Sequence, residues 1–148
     1  VLDIGYNTVD VLLFQNGNIL KEESFVNSLG VERIIHNIRI LINQRYKSDI
    51  SESQTRLATF SKSIKIDGVL YDLTDIIRNV IEKYTSALIT DVVKHFRGLS
   101  ISKVIVSGGG AYFLEDIELP KNFVLSQKPY EFQNVIGYYD HFEELTNV

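Results

Sequence analysis

The 148-residue chain has no cysteine, no methionine and no tryptophan, and it has only two prolines. The absence of cysteine excludes disulfide bonds, thiolate zinc sites and cysteine nucleophiles, and it is compatible with a cytoplasmic location. A complete translation product normally begins with methionine, whereas this chain begins inside the apolar, strand-like run of residues 1–4. We therefore expect it to be a piece of a longer protein.

The chain also lacks a surplus of positive charge and a long hydrophobic run. It has 15 basic and 19 acidic residues, which gives a net charge of -4 and no electrostatic reason to bind nucleic acid or an anionic membrane. The longest apolar runs, such as residues 11–14, are too short to span a membrane, and no targeting segment is visible. The hydrophobic fraction of 45% predicts one folded, soluble domain. With no cysteine and no targeting segment, we expect it in the cytoplasm.

The first half of the chain predicts three strands and a helix. Strand-like residues 2–14 are interrupted at Gly5-Tyr6-Asn7-Thr8, which indicates two strands joined by a tight turn. The second strand, about residues 8–15, leads through the hairpin signal Asn16-Gly17-Asn18 into a third strand at about 19–27. Apolar residues then recur at helical spacing from Val31 to Tyr46 and predict an amphipathic helix.

Residues 47–72 are polar and read either as a flexible loop or as a small excursion from the main fold. The excursion is favoured, with a short helix at about 53–60 and a hairpin that turns at Asp67-Gly68. A long amphipathic helix follows, which we expect Thr74 to cap and which should end near Gly98.

The last third of the chain predicts a buried strand followed by alternating elements. The apolar strand at 103–107 leads directly into Gly108-Gly109-Gly110-Ala111. The expected elements after it are a short helix at 111–116, a strand at 123–126 and a helix from 129 through 145. This order predicts an α/β fold, in which helices cover both faces of a mixed sheet with an antiparallel start and parallel crossover strands.

The segment from Asp3 to Asp10 is the first candidate site. A hairpin would bring these two carboxylates together, and Gly5 would let the backbone amides that follow it point toward an anion. Those amides belong to Tyr6, Asn7 and Thr8. Asp3 would suit Mg²⁺, which prefers oxygen ligands, and Asp10 could orient a water molecule or accept a proton in phosphoryl transfer. A carboxylate at the position of Asp3 could equally stabilise the turn.

The glycine run Gly108–Gly110 is the second candidate. Three glycines between a buried strand and a helix are typical of a phosphate or nucleotide loop, although a tight strand-to-helix turn would also use them. The run matches neither the P-loop nor the dinucleotide fingerprint. The three histidines have no partner at ligand spacing and are read as helix-surface residues; they are His36, His95 and His141. Ser107 lacks the context of a hydrolase nucleophile.

Four segments in this order resemble the second half of an actin-like ATPase. Asp3-Ile4-Gly5-Tyr6-Asn7-Thr8-Val9-Asp10 is similar to the second phosphate motif of the superfamily, D-x-G-x-x-T-x-D in its plasmid-segregation and archaeal branch. Val104 to Ala111 resembles the adenosine motif. Asn27-Ser28-Leu29-Gly30-Val31 is similar to the stretch that leads into the nucleotide-contacting helix of ParM/StbA proteins, and Phe132 to Tyr138 resembles their closing helix near the interdomain hinge.

The resemblance implies a ribonuclease-H-like fold with a mixed five-stranded sheet, a single domain over 1–148 and a small inserted subdomain at 47–72. It also implies ATP or ADP bound between two domains, Mg²⁺ at the phosphates, and assembly into filaments that move plasmids or organise the cell. Carried over by residue, Asp3 would reach the metal through water, and Asp10 would position the attacking water. Phosphate contacts would come from Gly5, Tyr6, Asn7 and Thr8, ribose or base contacts from Gly30 and Glu32, and adenosine contacts from Gly108, Gly109, Gly110 and Ala111.

The first phosphate motif of the superfamily is missing and would lie in a preceding actin-like domain. We therefore expect this chain to hold half a nucleotide site, to bind ATP weakly and to hydrolyse none by itself.

Two other kinds of parent protein remain open. One is a sugar or acetate kinase or a heat-shock-type chaperone of the same superfamily, although the chain supplies neither an acceptor-binding base nor a substrate domain. The other is a non-catalytic scaffold that kept the fold and lost turnover, against which the presence of both Asp3 and Asp10 argues.

Overall fold

The computed structural model describes residues 1–137, and these form two compact units. The first unit comprises Val1–Gly30 and the chain from Phe96 onward, and the second comprises Val31–His95. The strands are β1 (Leu2–Ile4), β2 (Val9–Val11), β3 (Phe14–Gln15), β4 (Asn18–Ile19), β5 (Phe25–Asn27), β6 (Ser63–Ile66), β7 (Val69–Asp72), β8 (Val104–Ser107) and β9 (Phe123–Leu125). The helices are α1 (Val31–Tyr46), α2 (Glu52–Ser61) and α3 (Thr74–His95), and short 3-10 segments lie at Lys21–Glu23, Gly109–Leu114 and Tyr130–Phe132.

The first unit is built on a mixed five-stranded sheet with the order β5-β2-β1-β8-β9. β1 pairs antiparallel with β2, and β2 pairs antiparallel with β5, whereas β1, β8 and β9 run parallel. Side chains alternate between the two faces, and the apolar positions of β1, β2 and β8 on one face are buried: Leu2, Ile4, Val9, Val11, Val104 and Val106. The predicted mixed sheet with an antiparallel start is confirmed.

The strands between residues 8 and 27 are shorter than the sequence predicts. The expected strand at 8–15 divides into β2 and β3, and the expected strand at 19–27 divides into β4 and β5, with a 3-10 turn between them. β3 and β4 form a separate hairpin, which turns at Asn16 and Gly17 with positive φ as predicted. The hydroxyl of Ser24 accepts a hydrogen bond from the N–H of Leu13 at 3.2 Å, so a side chain replaces the ladder partner where the strand was expected to continue.

The glycine run and the end of the described chain also differ from the prediction. A 3-10 helix begins at Gly109, so the short helix expected at 111–116 starts two residues earlier and ends at Leu114. The helix expected from residue 129 begins as a 3-10 turn at Tyr130–Phe132 and is helical over 133–137. The rest of that helix, with Tyr138 and His141, lies outside the described residues.

The second unit contains three helices and a hairpin, close to the prediction. α1 spans the predicted residues, and its buried positions are Val31, Ile34, Ile35, Ile38 and Ile42. The predicted helix at 53–60 is α2, which begins with a capping box between Ser51 and Gln54. The hairpin β6–β7 turns at Asp67 and Gly68, both with positive φ, as predicted. The division into a single domain with an insertion at 47–72 stays a prediction. Among the described helices, none combines the length and apolarity needed to cross a membrane.

Asp72 rather than Thr74 caps α3, so the expected role of Thr74 was wrong. The carboxylate Oδ1 of Asp72 accepts hydrogen bonds from the hydroxyl of Thr74 at 2.7 Å and from its backbone N–H at 2.8 Å. Thr74 is the first residue of the helix and donates these bonds. They lower the pKa of Asp72 below its ordinary value of 3.8, because they favour the ionised carboxylate.

This cap predicts a pH-dependent stability. Since the folded-state pKa of Asp72 is depressed, its stabilising effect is present above the unfolded-state pKa and is lost as the pH falls through the folded-state pKa. Asp72→Asn should lower the free energy of unfolding at neutral pH, and the difference from wild type should shrink in acid. Urea unfolding across this pH range tests it, with Asp49→Asn at an exposed position as the control. A pH-independent difference would contradict the role of the carboxylate.

Candidate functional site

Asp3 and Asp10 lie directly opposite each other in the β1–β2 pair. Directly opposed residues of an antiparallel pair project from the same face, with Cβ atoms about 4.5–5.5 Å apart. Both carboxylates are half-buried, on the face opposite the buried apolar residues of the same strands. Like charges in this position destabilise a sheet, so the arrangement favours a bound cation or a catalytic use.

The hairpin between the two strands leaves backbone donors available beside this pair. The N–H of Gly5 donates to the carbonyl of Thr8 at 2.9 Å, and the turn residues Tyr6 and Asn7 are exposed. Within residues 1–137, the backbone N–H groups of Asn7 and Thr8 donate no hydrogen bond. Successive unpaired amides in a turn are a known arrangement for binding an anion, and the anion role of this turn stays a prediction.

Gly108 lies at the same edge of the sheet, because β8 is parallel to β1 and Ser107 is the register partner of Asp3. Its φ is +81°, and a Cβ on this residue would lie against Oδ1 of Asp3 and 2.6 Å from the carbonyl oxygen of Ile4. Only glycine therefore fits between β8 and the carboxylate. Gly109 is exposed, with open space where a Cβ would stand, whereas Gly110 and Ala111 are buried.

Gly30, which directly precedes α1, also lies close to this hairpin. A Cβ on Gly30 would lie against the carbonyl oxygen of Tyr6 and 2.6 Å from the amide nitrogen of Thr8. The N–H of Gly30 donates to the carbonyl of Asn7 at 3.3 Å. Two glycines thus let two separate segments lie against the turn between the aspartates, and they set its position.

Asn134 is a site residue that the sequence reading did not identify. Its Nδ2 donates to Oδ2 of Asp3 at 2.6 Å. The resemblance placed residues 132–138 near a hinge and assigned no contact to the carboxylate. The one sequence feature that pointed to Asn134 was its position in a segment that resembles a family motif. Its partner, Asp3, is 131 residues away, and no local pattern predicts such a pair.

A cluster around Lys128 fixes the turn that precedes Asn134. Its ammonium group forms an ion pair with Glu115 at 2.7 Å and lies over the rings of Tyr112 and Tyr130, which are 4.7 Å apart. The hydrogen bond with Glu115 raises the pKa of Lys128, and a hydrogen bond with Glu131 raises the pKa of Tyr112. The turn is thereby joined to the 3-10 helix that follows Gly108.

Glu32 belongs to the second unit, in the first turn of α1. With Arg33, His36 and Asn37 it lines an open depression of about 390 Å³ on that helix. The structure therefore gathers most of the predicted site residues in the first unit, around the β1–β2 hairpin and Gly108, whereas Glu32 belongs to the second unit. The ligand roles of all of these residues stay predictions.

The donor set fits a magnesium ion that keeps most of its water. Among the described residues, no group of three histidine, cysteine or acidic side chains could enclose a metal ion. Mg²⁺ in nucleotide sites commonly uses one or two carboxylates together with phosphate oxygens and water, so the single carboxylate of Asp3 would be sufficient, with Asp10 free for another role beside it. The predicted helix-surface position of His36 and His95 is confirmed by their exposure.

Residues 1–118 match the family model of the archaeal actin homologue MreB-like proteins, C-terminal domain. The chain belongs to this family. The match covers the candidate hairpin, Gly30 and the glycine run. No curated protein matches the chain significantly.

Solved structures of actin homologues share the fold. Ta0583, an archaeal actin homolog, superimposes with a TM-score of 0.83 at 21% identity over 97% of this chain and 47% of its own. A Bacillus thuringiensis ParM solved with ATP gives a TM-score of 0.74 at 21% identity, over 97% of this chain and 46% of its own. For a ParM from a 15-stranded filament of Clostridium botulinum, the TM-score is 0.78 at 19% identity, over 97% and 44%. The chain spans about half the length of these structures, and the predicted actin-like α/β fold is confirmed.

Proposed function

We propose that this chain is the nucleotide-binding half of an actin-like, filament-forming ATPase. The observation that carries the proposal is the opposed pair Asp3 and Asp10, beside a hairpin whose amides at Asn7 and Thr8 donate no hydrogen bond within residues 1–137. Two carboxylates and a concave row of amides suit a metal ion and the phosphates that it neutralises. Ta0583 has also been solved in complex with ADP, and a ParM with ATP.

Each residue has a distinct role in this proposal. Asp3 would hold Mg²⁺ through water, and the backbone N–H groups of Asn7 and Thr8 would bind phosphate oxygens. Gly5 and Tyr6, in the same turn, would lie close to the phosphates. Asp10 orients the attacking water and accepts its proton. Mg²⁺ supplies charge neutralisation at the transferring phosphoryl group. Gly30 and Glu32 contact the ribose or base, and Gly108, Gly109, Gly110 and Ala111 contact the adenosine.

A preceding actin-like domain of the same protein would supply the rest of the site. The chain covers about half of each solved relative, and the superfamily's first phosphate motif does not occur in it. In this proposal the 148-residue chain binds ATP weakly and hydrolyses none, whereas the two-domain protein does both. Turnover by the isolated chain would contradict this division of the site.

Self-association follows from the same assignment. A ParM relative was solved as a 15-stranded filament, and ParM-type filaments are the assemblies that we expect the full-length protein to form in the cytoplasm. Plasmid segregation or cell organisation would be the role of such filaments.

ATP-dependent light scattering of the full-length protein tests the proposal against its competitors. Assembly on addition of ATP and Mg²⁺ supports a filament-forming ATPase, and EDTA should prevent it. Turnover that depends on a small acceptor would instead identify a kinase of the superfamily. Absence of both nucleotide binding and turnover would identify a scaffold and overturn the proposal.

A further inference from the structure

The carboxylate of Asp3 accepts a hydrogen bond at one oxygen and lies close to Gly108 with the other. Oδ2 accepts the hydrogen bond from Asn134 at 2.6 Å, and Oδ1 occupies the space where a Cβ on Gly108 would stand. An aspartate side chain otherwise rotates readily about its last torsion, because that torsion has a broad energy minimum. The negative charge opposite, on Asp10, would favour rotation away from the shared face.

Asn134 is presented by a firmly anchored turn. The N–H of Gly108 donates to the carbonyl of Tyr130 at 3.1 Å, which joins the turn to the end of β8. The ring of Tyr130 packs edge-on against Tyr112, and Lys128 lies over both rings. Asn134 follows Tyr130 by four residues, about one helical turn, so the anchored turn positions the Asn134 amide beside Asp3.

We propose that Asn134 is a positioning residue that fixes the orientation of the Asp3 carboxylate for magnesium. This inference rests on the proposed function, in which Asp3 is the metal-holding carboxylate. A charge-assisted hydrogen bond from a neutral amide restrains the carboxylate and adds no competing charge. Hydrogen bonds of this outer kind typically change metal affinity by about 10- to 100-fold.

The binding of a fluorescent ADP analogue by the full-length protein, measured against magnesium concentration and in EDTA, tests this role. Asn134→Leu keeps the size of the side chain and removes the donor, so it should need about tenfold more Mg²⁺ for half-maximal tightening. Its affinity in EDTA should equal that of wild type. Asn134→Gln keeps an amide donor and should recover most of the magnesium response. Gln133→Ala is the matched control, because it removes only a 3.4 Å bond to the carbonyl of Pro129 on the same turn.

The outcomes separate the two claims. A magnesium-dependent wild type together with an unchanged Asn134→Leu variant would overturn the positioning role and leave the proposed function intact. An equal loss in EDTA and in magnesium would also overturn it, since that result would reflect a damaged fold. Failure of the wild type to bind the analogue would overturn the proposed function, and this inference with it.

Discussion

If the proposed site is correct, Asp10→Ala in the full-length protein is expected to abolish ATP hydrolysis and to leave nucleotide binding in place. In the proposed site Asp10 positions water and accepts its proton, and removal of such a group typically costs about 10²- to 10⁴-fold in rate. The phosphates and the metal stay bound, because their contacts come from Asp3 and the hairpin amides. The measurement pairs steady-state phosphate release with the dissociation constant of ADP in the presence of Mg²⁺.

The same substitution should not weaken the fold. Asp10 faces Asp3 directly across the β1–β2 pair, and relief of that repulsion is worth about 0.2–1 kcal/mol. Asp10→Asn, which also keeps the shape, should therefore raise the free energy of unfolding slightly while it abolishes turnover. A purely structural aspartate would behave in the opposite way. Unchanged turnover, or a loss of stability that accounts for the loss of activity, would contradict the catalytic role.

Gly108→Ala will damage both the fold and the site. The new methyl group would lie against Oδ1 of Asp3 and within 2.6 Å of the carbonyl oxygen of Ile4, and φ at this position is +81°. Backbone strain and displacement of the central strand should together lower the free energy of unfolding by about 2–4 kcal/mol. Since Asp3 must move, magnesium-dependent nucleotide binding should fall with it. Chemical unfolding and ADP binding measure the two effects.

Gly109→Ala is the matched control for that experiment. It lies next to Gly108 in the same glycine run, yet a Cβ there meets open space. Its stability should stay within about 0.5 kcal/mol of wild type. Equal losses of stability at the two positions would mean that the glycine run acts as a flexible loop. The close approach of Gly108 to Asp3 would then not explain why glycine is needed at residue 108.

Local patterns account for most of what could be predicted. The spacing of the apolar residues predicted the position of α1. Asn16-Gly17 and Asp67-Gly68 predicted the two hairpin turns, because such turns require residues that accept positive φ. The predictions of strand length and of the helix cap failed where a side chain forms a hydrogen bond with the backbone. The hydroxyl of Ser24 ends the ladder beyond β2, and the carboxylate of Asp72 takes the capping role that was expected of Thr74.

The candidate site was predictable only within short segments. The pairing of Asp3 with Asp10 follows from a tight turn, which is a local feature. The order of strands in the sheet determines which distant segments lie beside that turn, among them those of Gly108, Gly30 and Asn134. Local sequence patterns do not predict this strand order. A resemblance to a family motif could mark such residues, but it could not show that Asn134 donates to one oxygen of Asp3 while the other oxygen occupies the space beside Gly108.

Amide chemical-shift mapping of the 148-residue chain with ADP and Mg²⁺ tests the central claim most directly. The proposed site predicts shifts that centre on the amides of Asn7 and Thr8 and extend to Gly30 and to residues 108–111. These shifts should disappear on addition of EDTA or in Asp3→Ala. Shifts confined to the excursion at residues 47–72, or no shifts at millimolar nucleotide, would contradict it.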